Sequence, residues 1–124
     1  RNHAASAGHY LATLAAMRVL DRGGNAVDAG VTASMALSVL QPDMVSFACV
    51  APTLIYMREL DKVISLAGLG YWPKNTDVAK LIAAGNGKAV PENLLRTVIP
   101  AAPATYIAAL RRYGTISFEE AATP

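Results

Sequence analysis

Cysteine and histidine are scarce in this chain, and this restricts the chemistry it can carry by itself. One cysteine, Cys49, and two histidines, His3 and His9, occur among the 124 residues. An internal disulfide is therefore excluded, and no CxxC or His/Cys cluster predicts a metal site. Cys49 lies in an apolar run and is expected to be a small buried hydrophobe. His9 has no neighbouring partner that would make it a general base, so a surface or boundary position is expected.

Charged residues are also few, and the sequence contains no cluster of basic residues. Charged residues make up 16% of the chain, the net charge is +2, and apolar residues make up 53%. The composition can build a core, whereas a nucleic-acid-binding surface would need clustered basic residues that are missing here. The most apolar run, Ala26–Leu40, is shorter than the roughly 20 residues of a membrane span and contains Asp28. No signal peptide is visible, so the sequence assigns no compartment.

The first forty residues predict two helices joined as an αα-hairpin. Ser6 is predicted to cap a helix over Ala7–Arg22, which the glycine pair 23–24 ends. Asn25 then caps a second helix over Ala26–Leu40. In the first helix, large apolar side chains fall on one face: Tyr10, Leu14 and Met17. In the second, small residues predict close approach of another element: Ala29, Gly30, Ala33 and Ala36.

The middle of the chain predicts a β-hairpin, and the last third predicts further helices. The residues of 53–57 and 63–67 favour strands, and the polar stretch 58–62 reads as their turn. Further helices are predicted at Thr76–Ala84, from Pro103 to Gly114, and after the capping box Ser117–Glu120. The fold class is therefore α/β (α+β). Because little chain follows the start at Ser117, we expect residues 1–124 to be one domain that is incomplete alone.

No constellation of residues indicates catalysis by spacing alone. The sequence Gly68-Leu69-Gly70 follows a predicted strand, but Pro73 occupies the third glycine position of a dinucleotide-binding motif. A turn after the hairpin is the better interpretation. Tyr71 and Trp72 are adjacent large aromatics, which either line a pocket or anchor the loop to the core.

Several segments in order resemble the gamma-glutamyltranspeptidase family near the start of its large subunit. The specific match is AAMRVLDRGGNAVDA at residues 15–29, with its hallmark GGNAVDA intact. Supporting matches are RTVIPAAP at 96–103, taken as a strand, a proline turn and a helix, and RYGT at 112–115. The resemblance implies part of a four-layered αββα fold of N-terminal nucleophile hydrolases.

The same resemblance implies a self-processing amide hydrolase or acyltransferase whose catalytic residue lies elsewhere. Family members are made as a precursor that cuts itself, and the new N-terminal Thr of the small subunit becomes the nucleophile. The implied partners are the remaining large-subunit segment, the small subunit with its Thr, and a small-molecule amide substrate. The resemblance implies no metal or organic cofactor, and no catalytic residue within this chain.

One departure from the family pattern concerns substrate recognition. Typical members have Asp-Gly-Arg-Glu-Thr-Ala-Pro where this chain has Ala-Gly-Leu-Gly-Tyr-Trp-Pro at 67–73. The family's arginine grips the substrate α-carboxylate, and Leu69 stands in its place. We therefore expect a divergent member that does not use classical glutathione, with substrate-binding residues Leu69, Gly70, Tyr71 and Trp72. Two alternatives remain: a non-catalytic scaffold or binding subunit, or a classical gamma-glutamyl enzyme with a relocated clamp, such as Lys74 or Arg58.

Overall fold

A computed structural model describes residues 3–87 and 93–123. Its helices are α1 (Tyr10–Asp21), α2 (Ala26–Leu40), α3 (Val78–Ala84), α4 (Ala102–Tyr113) and α5 (Phe118–Ala121), and its strands are β1 (Thr53–Met57) and β2 (Lys62–Leu66). Short 3-10 turns lie at Arg58–Leu60 and Leu94–Arg96. The predicted αα-hairpin and β-hairpin are both confirmed. No helix in the described part of the chain is long and apolar enough to cross a membrane.

The start of α1 differs from the prediction. The helix begins at Tyr10, and its N-cap is His9, whose Nδ1 accepts a hydrogen bond from the Leu11 N–H at 3.2 Å. Ser6 is not the cap, because the chain before His9 is held in another way: the Ala7 N–H donates to Thr13 Oγ1 at 3.1 Å. His9 therefore has a local structural role.

The buried face of α1 is made of small side chains. Ala12, Ala15, Ala16 and Val19 are buried, whereas Tyr10 is 74% exposed and Leu14 is 44% exposed. The α1 face that carries Ala16 and Val19 packs with Ala29 of α2, and such small residues allow two helix axes to come close. The stripe of large apolar residues thus does not mark the face that packs within the described chain.

The turn between α1 and α2 is as predicted. Gly23 has φ +93°, a left-handed conformation that glycine adopts without steric cost. Asn25 Oδ1 accepts from the N–H groups of Val27 and Asp28, at 2.8 and 3.1 Å. Asp28 Oδ2 accepts from the Asn25 N–H at 2.8 Å, which completes a reciprocal capping box.

The carboxylate of Asp28 also joins the helical hairpin to the end of α4. Asp28 is fully buried; Thr115 donates its hydroxyl to Oδ2 at 2.6 Å and its N–H to Oδ1 at 2.9 Å. Nearby, Asn25 Nδ2 donates to the Tyr113 carbonyl at 2.7 Å. A buried charge needs several such donors, and here they come from both ends of the described chain.

The main core lies between α2, α4 and α5. Its buried members are Val31, Met35, Ala102, Tyr106, Ala109, Leu110 and Ala121. The β-hairpin lies beside α2 and α4, and a cavity of about 550 Å³ is lined by residues of α2, β1 and α4. Helix α4 begins at Ala102, one residue before the predicted Pro103. The sequence predicts an apolar stripe of Tyr106, Ile107 and Leu110 on this helix; Tyr106 and Leu110 are buried, and Ile107 is 37% exposed.

The two strands pair antiparallel, with Ile55 opposite Ile64 and Tyr56 opposite Val63. Ile55 and Ile64 are half-buried. Side chains of the other face are largely exposed: Leu54 at 75%, Tyr56 at 61% and Val63 at 64%. A two-stranded hairpin with an apolar outer face is marginally stable in water, so this face would gain from a cover.

The segment Thr97–Ile99 forms no strand, contrary to the expectation from the family resemblance. Its Ile99 N–H bonds to the loop carbonyl of Tyr71 rather than to a strand of the hairpin. One such bond is too little for a sheet ladder. The sequence also predicts a loop with Pro91 before this segment, and Pro91 lies outside the described residues.

We predict that Asp28→Ala destabilises the protein by about 1.5–3 kcal/mol, because it leaves buried donors of Thr115 and Asn25 without an acceptor. Burial raises the pKa of Asp28, but the hydrogen bonds of Thr115, Asn25 and Ile116 lower it more, so the net pKa lies below its usual 3.8. The stabilisation by this carboxylate is therefore fully present well above pH 3.8, begins to fall as the pH approaches that value, and is lost as the pH falls through the lowered pKa.

Urea unfolding of wild type and Asp28→Ala, measured from pH 3 to pH 7, checks this prediction. The difference between the two proteins should shrink at the acidic end. Asp43→Ala is the matched control, because Asp43 is exposed and should change stability little at any pH. A pH-independent difference for Asp28→Ala would contradict the role assigned to its charge.

Candidate functional site

The loop at residues 67–73 follows β2 and is held at its start by the segment before β1. Ala51 donates its N–H to the Gly68 carbonyl at 2.8 Å. Gly68 has φ +55°, and a Cβ there would overlap the backbone carbonyl of Ala51. Only glycine combines this conformation with such a close approach. The glycine at 68 is thus explained by backbone packing.

The other side of the loop is held by the segment before α4. Ile99 donates its N–H to the Tyr71 carbonyl at 3.0 Å. A Cβ on Gly70 would overlap the carbonyl of Ile99, so the two backbones touch at this point. Ala101 and Ala102 then donate to the Cys49 carbonyl at 3.0 and 2.8 Å. Three backbone segments therefore support one another at the N-terminal end of α4.

An open groove of about 520 Å³ runs beside this loop. Three of the four predicted substrate-binding residues line it: Leu69, Gly70 and Tyr71. Within the part of the chain that the structure describes, Leu69 is 59% exposed and Tyr71 is 85% exposed. Trp72 is 40% exposed and does not line the groove, so the structure separates it from its neighbours.

Helix α4 and the residues before it form the rest of the groove wall. Ala104, Ala108 and Arg112 lie at helical spacing on one face of α4 and all line the groove. Ile99 contributes a half-exposed apolar side chain, at 52%. The helical spacing of these three residues could have indicated this face of α4 from the sequence. Nothing in the local sequence indicated Ile99, because the loop that it contacts is distant in the chain.

One charged side chain, Arg112, lines the groove. It has no ion-pair partner in the part of the chain that the structure describes. Lys74 and Arg58, the cations considered from the sequence, do not line this groove. Along α4, Arg112 lies about 16 Å from Ala101, at the rise of 1.5 Å per residue. The groove therefore has an apolar end at the loop and a cationic residue farther along the helix.

The other candidate residues have structural positions. Cys49 is half-buried rather than buried, and its thiol donates to the Val50 carbonyl at 3.2 Å. Burial, and then the nearby Cys49, raises the pKa of Tyr106, so its phenol stays protonated in the core. Among residues 3–87 and 93–123, no His, Cys, Asp and Glu side chains group in a way that could hold a metal.

Comparison with known proteins defines the class of this fold. It matches gamma-glutamyltranspeptidase from Pseudomonas nitroreducens, solved with L-DON, with a TM-score of 0.83 and 25% identity over 98% of this chain and 37% of that one. It also matches cephalosporin acylase from Bacillus halodurans, with a TM-score of 0.80 and 27% identity over 92% of this chain and 21% of that one. The described residues thus form part of the N-terminal nucleophile hydrolase fold of these enzymes.

The family model for gamma-glutamyltranspeptidase matches residues 12–124, and the chain belongs to this family. It is 33% identical over 118 residues to a glutathione hydrolase-like proenzyme, YwrD, of Bacillus subtilis. That match covers 94% of this chain and 22% of the relative, so the chain spans about a fifth of that protein's length.

We predict that Gly70→Ala displaces the loop, because the added methyl group overlaps the Ile99 carbonyl. The expected cost is about 1–3 kcal/mol, as for overpacking elsewhere. Gly30→Ala is the matched control, since a Cβ at Gly30 in α2 meets nothing within 4 Å. It should be neutral or stabilising by up to about 1 kcal/mol. Thermal unfolding of the two variants makes the comparison, and equal midpoints would contradict the close approach at Gly70.

Proposed function

We propose that this chain is the N-terminal part of the large subunit of a self-processing amide hydrolase or acyltransferase, whose nucleophilic Thr lies in another chain. Family membership supports the amide chemistry. The relative in Bacillus subtilis is named a proenzyme, which supports processing. The chain's share of that relative leaves most of the enzyme outside residues 1–124.

The positions of the chemically active side chains also support a nucleophile outside this chain. His9 caps α1, and Asp28 is buried with four backbone and hydroxyl donors. Cys49 bonds to a neighbouring carbonyl. None of these three lines the groove beside Leu69, and Thr105, which does line it, donates its hydroxyl to the Ala101 carbonyl at 2.9 Å. The role of this chain is therefore to shape a substrate site that is completed by other segments.

We further propose that the substrate is an amide with an apolar acyl group rather than glutathione. The observation that carries this proposal is Leu69, which lines the groove at the position where the family resemblance places a carboxylate-gripping arginine. An isobutyl group cannot replace a bidentate, charge-assisted clamp. Tyr71 extends the apolar surface beside it. Similarity to a cephalosporin acylase supports substrates other than gamma-glutamyl donors.

The test measures kcat/KM of the assembled enzyme for a gamma-glutamyl anilide and for neutral acyl anilides. Wild type should favour the neutral donors, because a lost charged hydrogen bond costs about 1.5–3 kcal/mol, or roughly ten- to a hundred-fold. Leu69→Arg should recover part of the glutamyl activity, whereas Leu69→Met, which conserves volume, should not. Wild-type preference for the glutamyl donor would overturn the substrate proposal. Absence of any amide turnover would favour a scaffold subunit.

A classical enzyme with a relocated clamp is the second candidate, and Arg112 is the observation that favours it. It is the charged residue of the groove and lacks an ion-pair partner among the described residues. Arg112→Gln should then lower glutamyl turnover by about ten-fold or more, mainly through KM. Arg111→Gln is the control, because the adjacent Arg111 is exposed and does not line the groove. Equal effects of the two substitutions would exclude the clamp.

A further inference from the structure

We propose that Ile99 is a specificity-determining residue that forms the acyl subsite together with Leu69 and Tyr71. This inference rests on the proposed function, since it concerns the substrate of the same groove. Ile99 belongs to the segment RTVIPAAP, which by resemblance corresponds to a strand, a proline turn and the start of a helix. The groove brings it beside loop residues that precede it by about thirty positions.

The first observation is the exposure of the Ile99 side chain within the groove. A branched apolar side chain at 52% exposure lines the same cavity as Leu69 and Tyr71. These three residues give the loop end of the groove an apolar surface. The other polar side chains that line the groove are those of Ser65, Thr105 and Arg112. Such a surface suits an aliphatic or aromatic acyl group.

The second observation is that Ile99 is held in place by the loop at residues 67–73. Its N–H donates to the Tyr71 carbonyl at 3.0 Å, and its own carbonyl touches Gly70. Two residues later, Ala101 is tied to the Cys49 carbonyl at 3.0 Å. The backbone on either side of Pro100 is therefore fixed. A side chain on such a support defines the size of a pocket more sharply than one on a free loop.

From these two observations we expect Ile99 to select substrates by the size of their acyl group. Removing methyl or methylene groups from a pocket wall enlarges the pocket, and one methylene changes discrimination between substrates by roughly 10–200-fold. We expect Ile99→Ala to move the preference toward bulkier acyl groups, and Ile99→Val to move it less. Because the backbone hydrogen bond to Tyr71 does not involve the side chain, both substitutions leave the loop anchor in place.

The experiment uses the assembled enzyme and a series of anilides with acetyl, butyryl, hexanoyl and phenylacetyl groups, together with the gamma-glutamyl anilide. For Ile99→Ala, kcat/KM should shift by about ten-fold or more toward the larger acyl groups. If Ile99→Ala proves unstable, Ile99→Leu is measured in its place. Because this substitution conserves volume, it should keep the wild-type order of acyl-group preference. Ile107→Ala is the control: Ile107 is 37% exposed on α4 but does not line the groove.

Affinity for the product acids of the same series, which have no amide bond left to cleave, is measured by calorimetry and gives a readout that does not need turnover. An unchanged acyl preference in Ile99→Ala, in both rate and affinity, would overturn the inference. Failure of the proposed substrate class is seen separately, in the wild-type ranking of glutamyl against neutral donors. A shift caused by Ile99→Ala would support the inference even where the glutamyl donor ranks first.

Discussion

The buried carboxylate of Asp28 is the interaction on which the arrangement of helices depends. Its oxygens accept hydrogen bonds from Asn25 at the start of α2 and from Thr115 after α4. Loss of these donors would leave a charge in a site with no exposed surface. The two ends of the described chain are thereby fixed relative to each other. This places one face of α4 beside α2. The groove lies along a different face of α4, the one that carries Ala104, Ala108 and Arg112.

From α4 the constraint passes through backbone groups to the loop at residues 67–73. The first residues of α4 bind the Cys49 carbonyl, Ala51 binds Gly68, and Ile99 binds Tyr71. Because Gly70 lacks a side chain, the loop can press against the Ile99 carbonyl. The loop side chains are therefore presented from a fixed backbone, although no strand supports them. Such support is what a site needs when its specificity comes from shape rather than from a charge.

Much of the architecture could be predicted from local sequence. The left-handed Gly23, the Asn25 cap and the Ser117 capping box follow from short-range chemistry, and the structure confirms each one. What local sequence did not predict depends on contacts between residues far apart in the chain, or on competition between two possible helix caps. His9 replaced Ser6 as a cap, because Thr13 accepts the Ala7 N–H. The contacts of Asp28 with Thr115, and of Gly70 with Ile99, join residues far apart in sequence. In the candidate site, Leu69 and Tyr71 followed from resemblance, whereas the positions of Ile99 and Arg112 in the same groove required the fold.

We infer that this chain shapes a substrate site whose nucleophile is supplied by another chain of a processed enzyme. The most direct measurement is intact mass spectrometry of the enzyme purified from its native source, combined with N-terminal sequencing of every chain present. The account predicts a companion chain that begins with Thr, produced by a cut within one precursor. A fully active enzyme that remains a single uncut chain, or a companion chain without an N-terminal Thr, would contradict it.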